Sequence, residues 1–265
     1  MNPKNSLSMS KLRNISALAL LLCGLTVSAQ RYERVVKDNF WNSSRNVSGI
    51  RQDSVSRSYA EAYGKYEGGG FRDTWQAEEG WSVGAATASI RHLERLSLKG
   101  SFSFEQTEGY GMCGSMFIDP GFYPVDVLEF TPGRKSLQTY ALDGGFSYDL
   151  TSEWRIGAAM DFTSANMAKR KDLRHTNWKL DMTVAPGFMY HSGDFAIGGS
   201  YIFRKTSESI KAEQVGTSES SYYAFLDKGL MYGVYSVWSG SGLHLSEAGV
   251  NGFPVKDFSN GAALQ

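Results

Sequence analysis

Through residues 136–205, apolar and polar side chains take turns along the chain. Tyr140, Leu142, Gly144, Phe146, Tyr148 and Leu150 alternate with Ala141, Asp143, Gly145, Ser147 and Asp149. Trp154, Ile156, Ala158, Met160 and Phe162 alternate with Arg155, Gly157, Ala159 and Asp161. Trp178, Leu180, Met182 and Val184 alternate with Lys179, Asp181, Thr183 and Ala185, and that run continues to Tyr190. Phe195, Ile197, Gly199, Tyr201 and Phe203 alternate with Ala196, Gly198, Ser200, Ile202 and Arg204. A period of two places one set on each face of a pleated strand. Residues 81–91 and 95–106 follow the same rule. Residues 57–68 make a weaker strand, in which Tyr59, Tyr63 and Tyr66 break register and predict a bulge or a misplaced boundary.

The connections carry a second pattern. Short ones lie at residues 92–94, 151–153 and 191–194. Long ones lie at 69–80, 107–137, 164–176 and from 206 onward. Runs of about ten residues joined by alternating short and long connections match membrane-spanning strands with short turns on one side and long loops on the other. Long structureless loops are uncommon in compact water-soluble domains. The expected fold is therefore all-β, an antiparallel transmembrane up-and-down β-barrel with its apolar face toward lipid. Asp143, Arg155, Asp161, Lys179, Asp181 and Arg204 are then candidates for lining the lumen. A soluble secreted β-sandwich is the competing arrangement, with the same apolar face in a core between two sheets.

The N-terminus supports export. Residues 1–13 are basic and polar, residues 15–27 are apolar, and Val27-Ser28-Ala29 offers the small residues of a cleavage site. This is the layout of a secretory signal peptide over residues 1–29, too short in its apolar part to span a bilayer. Leu22 before Cys23 does not suit a lipoprotein site, and Cys113 is the one cysteine left after cleavage. A disulfide framework within the chain is thereby excluded. Formal charge is balanced, with 27 basic and 27 acidic residues, and becomes slightly acidic without the leader. That excludes a polycationic nucleic-acid binder. Residues 30–56 are expected to form a periplasmic N-terminal segment and residues 57–265 the barrel.

The SAQ at Ser28–Gln30, the repeated strand–turn–strand units at 141–204 and the loop at 227–243 resemble an outer-membrane β-barrel family of the Bacteroidota with no assigned function. The resemblance implies a larger barrel in the outer membrane and brings no catalytic or binding residues with it. Asp53-Ser54-Val55 resembles the O-glycosylation sequon of that phylum, which makes Ser54 a candidate for modification. The chain ends Gly261-Ala262-Ala263-Leu264-Gln265, which reads as the opening of a strand and not as an aromatic terminus. Seven strands are countable, whereas a closed bacterial single-chain barrel takes an even number. Either residues 206–264 hide another strand, or the sequence is a fragment of a larger barrel. The fragment is the expectation, with the strands at Arg57 and Phe203 left as open edges.

Candidate chemistry is sparse. His244 with Ser246 and Glu247 sits within four residues, whereas a working triad draws on distant elements. No histidine pair has metal-ligand spacing. Gly68-Gly69-Gly70 lacks the Lys and Ser/Thr of a phosphate loop. The expectation is a non-enzymatic protein without cofactor or metal, acting as a solute channel or a surface binding and uptake component. Its partners would be outer-membrane lipid, a small solute and outer-membrane proteins, with no nucleic acid. A non-conducting accessory barrel in a surface complex is the alternative. Tyr232, Tyr235 and Trp238, on a glycine-rich loop, are candidates for contact with a ligand.

Overall fold

The computed structural model describes residues 44–52, 55–214, 223–229, 235–239 and 253–265. Ten strands form one antiparallel sheet: β1 (Arg57–Gly68), β2 (Glu79–His92), β3 (Leu96–Ser115), β4 (Asp126–Asp149), β5 (Trp154–Lys169), β6 (Arg174–Ser192), β7 (Phe195–Glu213), β8 (Tyr223–Asp227), β9 (Tyr235–Ser239) and β10 (Phe253–Leu264). Strands β1 to β7 are neighbours in chain order, and β10 follows β7. The β8–β9 hairpin joins the start of β4 instead. β1 and β10 do not pair with each other, so the sheet is open, compatible with an incomplete barrel wall.

Several expectations need correction. Residues 206–264 hold three further strands, the residues at 261–264 close β10 instead of opening a strand, and β10 pairs along β7, so the strand at Phe203 is not the open edge expected of it. Tyr59, Tyr63 and Tyr66 sit in an unbroken register from Arg57↔Ile90 to Gly68↔Glu79, with no bulge. Tyr63 lies over Gly84, where a Cβ would stand 2.5 Å from its ring, so the missing side chain seats the aromatic. The loop expected at 164–176 shrinks to residues 170–173, because β5 and β6 both run into it.

That last miss has a physical cause. Along the middle of each strand the apolar side chains are exposed: Ile156 at 40%, Met160 at 48%, Trp178 at 50% and Phe188 at 48%. A sandwich would bury them under a second sheet. Further along the same strands the pattern inverts. Ala165, Met167, Ile210 and Ala212 are buried on the opposite face, while Ser164, Asn166, Ser207 and Ser209 take over the bare one. The hydrophobic alternation keeps its period and changes face, which reads from sequence as its disappearance.

One strand pair also bends. The β3–β4 pairing shifts register between Gly109 and Met112 and again between Met112 and Gly114. Gly111 and Gly114 adopt φ of 70° and 81°, the left-handed region that costs a side chain strain. Beyond these bulges the hairpin tip turns over the covered face, and the Met116 carbonyl accepts a hydrogen bond from Asn177 of β6. A Cβ at Gly114 would also stand 2.9 Å from the Thr74 hydroxyl oxygen. Gly114→Ala is expected to destabilise the fold by about 1–3 kcal/mol. Gly69→Ala, with open space around its Cβ position, should leave the urea unfolding midpoint unchanged.

Candidate functional site

The face opposite the exposed apolar residues carries the chemistry. At the short-turn end, Gly145, Gly157 and Gly187 sit on adjacent strands, with Gly157 directly opposite Gly187. On this glycine floor rests a 3-10 segment, Val47–Gln52, whose first four residues are buried. A Cβ at Gly157 would lie 2.9 Å from the Val47 side chain, and one at Gly187 would lie 2.5 Å from the Asn46 side-chain oxygen. Polar contacts fix the segment. The Asn46 amide donates to the Phe188 carbonyl at 2.9 Å, and the Ser147 hydroxyl donates to the Ser48 carbonyl at 3.0 Å. Arg51 pairs with Asp149 at 2.7 Å and also donates to the Leu93 carbonyl, while Arg45 pairs with Asp161. Part of the stretch expected as a separate N-terminal segment is thus packed onto the sheet.

At the other end the β3–β4 tip fills the same face. The Ile118 amide donates to Glu208 Oε1 at 2.8 Å. Lys179 pairs with Asp119, and both Lys179 and Arg204 lie over the Phe122 ring at 5.4 Å from its centre. Beneath the tip, Met116, Phe117, Tyr123, Val127, Leu173, Ile210, Ala212 and Ala224 form the main apolar cluster. Fully buried beside it, Lys169 pairs with Glu129 at 2.6 Å. His175 donates or accepts at Asn177 across 2.8 Å, and burial, with the nearby Lys135 and Lys169, pushes its imidazole down to about 3.

The six charged candidates all lie on this covered face, on β4 to β7. They are not a row of free charges. Asp143 meets Lys99 at 3.5 Å, Arg155 meets Asp149 at 2.9 Å, and Arg204 grips Asp181. Asp161 and Lys179 hold the two inserted segments through Arg45 and Asp119. Cross-strand pairing puts Asp143 directly opposite Asp161, a like-charge pair that the two flanking cations, Lys99 and Arg45, offset.

Of the aromatic candidates, Tyr235 is exposed on β9 with its ring centre 6.1 Å from that of Phe225. Trp238 has its backbone in β9 and its side chain outside the described residues. Tyr232, Ser54 and His244 lie outside the described residues altogether. Among the described residues no group of three or more His, Cys, Asp or Glu could hold a metal ion.

Sequence reasoning missed both inserts and the buried Lys135, Lys169, Glu129 and Glu208. One signal for the first insert was available: three glycines on the polar face of neighbouring strands, next to an otherwise isolated Val47–Ile50.

With this geometry in place, the chain can be set beside known proteins. It is an all-β antiparallel sheet protein, and residues 47–254 match the model of a family of unknown function (DUF6850), to which the chain belongs. No curated protein and no solved structure matched it.

The glycine floor generates a prediction. Gly187→Val should expel the 3-10 segment while leaving the strands paired. Trypsin should then cut after Arg51 in the variant, with the wild type protected; equal cutting rates in both would mean the segment is not held by the floor.

Proposed function

We propose that the protein is an integral outer-membrane β-barrel component that binds or passes a small solute at the cell surface, without catalysing a reaction. The inversion of polarity along single strands carries this reading. On β6 the bare face is apolar from Leu180 to Tyr190, about 34 Å of strand at about 3.4 Å per residue. Tilted by about 45°, that becomes about 24 Å, close to the apolar band of a membrane barrel of about 25 Å. Above it the bare face is Ser207, Ser209 and Lys211 on β7, suited to water. Trp154 and Tyr190, with ring centres 5.1 Å apart, stand at the short-turn margin, and Trp178 and Tyr140 stand near the other, where interfacial aromatics are favoured. The signal-like N-terminus supports the same location.

The test is fractionation of cells followed by folding of the purified chain into vesicles. The protein should stay with outer membranes and require detergent for release. Met160→Arg should cost about 2–4 kcal/mol in bilayers, the magnitude for a cation near the midplane on a lipid-facing position. Release without detergent, together with a neutral Met160→Arg, would remove the membrane reading.

The two inserts favour binding over free passage. Both ends of the polar face are occupied by segments latched through ion pairs. In planar bilayers the wild type should conduct poorly, and Arg45→Ala/Arg51→Ala should raise conductance by releasing the 3-10 segment. High wild-type conductance, unchanged in the double variant, would favour an open channel.

A further inference from the structure

Between the β1–β2 loop and the β3–β4 tip lies a cavity of about 480 Å³ at the long-loop end of the sheet. Its volume falls in the ordinary range for small-molecule sites. Trp75, Met112, Phe117, Leu137 and Met167 supply apolar wall from the β1–β2 loop, the β3–β4 tip and strands β3, β4 and β5. Lys135 also lines it, although the residue is only 3% exposed. A buried ammonium group is normally matched by a carboxylate. Among the described residues no carboxylate stands within ion-pair distance of Lys135, and its hydrogen bond goes to the Ser115 carbonyl at 2.8 Å. Glu129, a buried acid that acts electrostatically on Lys135, is itself paired to Lys169 at 2.6 Å. A buried cation therefore borders a chamber of mixed walls, in which Glu67, Glu108, Lys65 and Arg72 stand beside the apolar residues, and its hydrogen bond goes to a neutral group.

We propose that this cavity binds an apolar-bodied monocarboxylate, with its carboxylate on Lys135 and its body against Trp75, Phe117 and Met112. Lys135 itself is almost fully buried, and a charge-assisted hydrogen bond to a buried group is stronger than one in solution. A neutral analogue gains the same apolar contacts and leaves the ammonium unmatched. This assignment does not depend on the membrane reading, since the cavity lies above the exposed apolar band.

Further groups shape the site. Lys135 is surrounded by Glu129 and Asp126 of its own strand, Cys113 of β3, Lys169 of β5 and His175 of β6. Burial pushes Lys135 down to about 8 against the pull of Glu129, so the ammonium form dominates at pH 7 and is lost in alkali. Asp126 is engaged by the Ser115 hydroxyl and the Val127 amide, and burial pushes its carboxyl up. His175 is uncharged at neutral pH. Lys65 and Arg72 also line the cavity and are paired with Glu67 and Glu78, so among the described residues Lys135 is the lining cation whose charge is left for a carboxylate to read.

The experiment uses the purified full chain held in amphipol, which leaves the cavity free of detergent. Calorimetric titration with 2-naphthoate is compared with titration by its neutral isostere, 2-naphthamide. The naphthoate should bind at least tenfold more tightly at pH 7. Lys135→Met should abolish that preference, and Lys135→Arg should keep it. On the wild type alone, naphthoate affinity should fall at least fivefold between pH 7 and pH 10 while naphthamide affinity stays constant. Cys113→Ser should show the same profile, separating the thiol from the lysine. Equal binding of the two probes, no naphthoate binding at millimolar concentration, or a flat pH profile would overturn the proposal. The wild-type pH series decides the matter even where Lys135→Met does not fold.

Discussion

A sheet with an oily side and a charged side can be stable only if each meets a suitable medium, and every other feature of this structure follows from how that is met. Burial of apolar surface is the main favourable force in folding. Here the large apolar side chains of the strand middles lie exposed, and the positions buried opposite them include small or polar residues such as Ser97, Ser147, Ala159, Thr183, Ala185 and Ser200. A protein in water gains nothing from that arrangement. In hydrocarbon, the medium proposed for it, the arrangement would be the favourable one, because lipid tails would receive Ile156, Met160 and Phe188 as a core does. Where the strands run past the band, the order returns to the ordinary one, with Ile210 and Met167 inside and serines outside.

The polar side has its own requirement. Lysines and carboxylates taken from water need partners, and one side of a sheet cannot supply them all. The two inserted segments supply several of them. Arg45 and Arg51 approach from one end and Asp119 from the other, each meeting a strand residue of opposite charge. The glycine floor and the glycine-bearing bulges are the backbone's share of the same solution. Gly145, Gly157 and Gly187 give the 3-10 segment room, and Gly111 and Gly114 let the β3–β4 tip turn inward.

How much of this could be read from the residues follows from where side chains face the same way for long enough. The middles of β2 to β7 and their pairing were legible, because one apolar set persisted for five or six alternate positions. The upper halves of β5 and β6 were not, because Ala165 and Met167 changed sides and left Ser164 and Asn166 in the positions expected to be oily. β8 and β9 are only five residues each, too short to show a period, and β10 was lost because Phe258 stands among Asp257, Ser259 and Asn260. That the six charged candidates share one face was legible from parity alone. Their pairing was hidden, since Asp161 and Arg45 are 116 positions apart and nothing in either neighbourhood announces the other. Lys135 gave no sign at all. Its burial comes from two loops folding over it, and loop paths are not encoded in a period.

The two borders of the sheet lead to one more requirement. β1 and β10 each end the hydrogen-bonded path with twelve residues of strand. A border of that length turns on the order of ten backbone groups away from its neighbour. Water satisfies them at little cost. In lipid each such group left without a partner costs several kcal/mol, which makes an unsealed border there untenable. Wherever this sheet meets a bilayer, its two margins must be stitched to further strands, whether from the same polypeptide or from another copy, before the wall can stand.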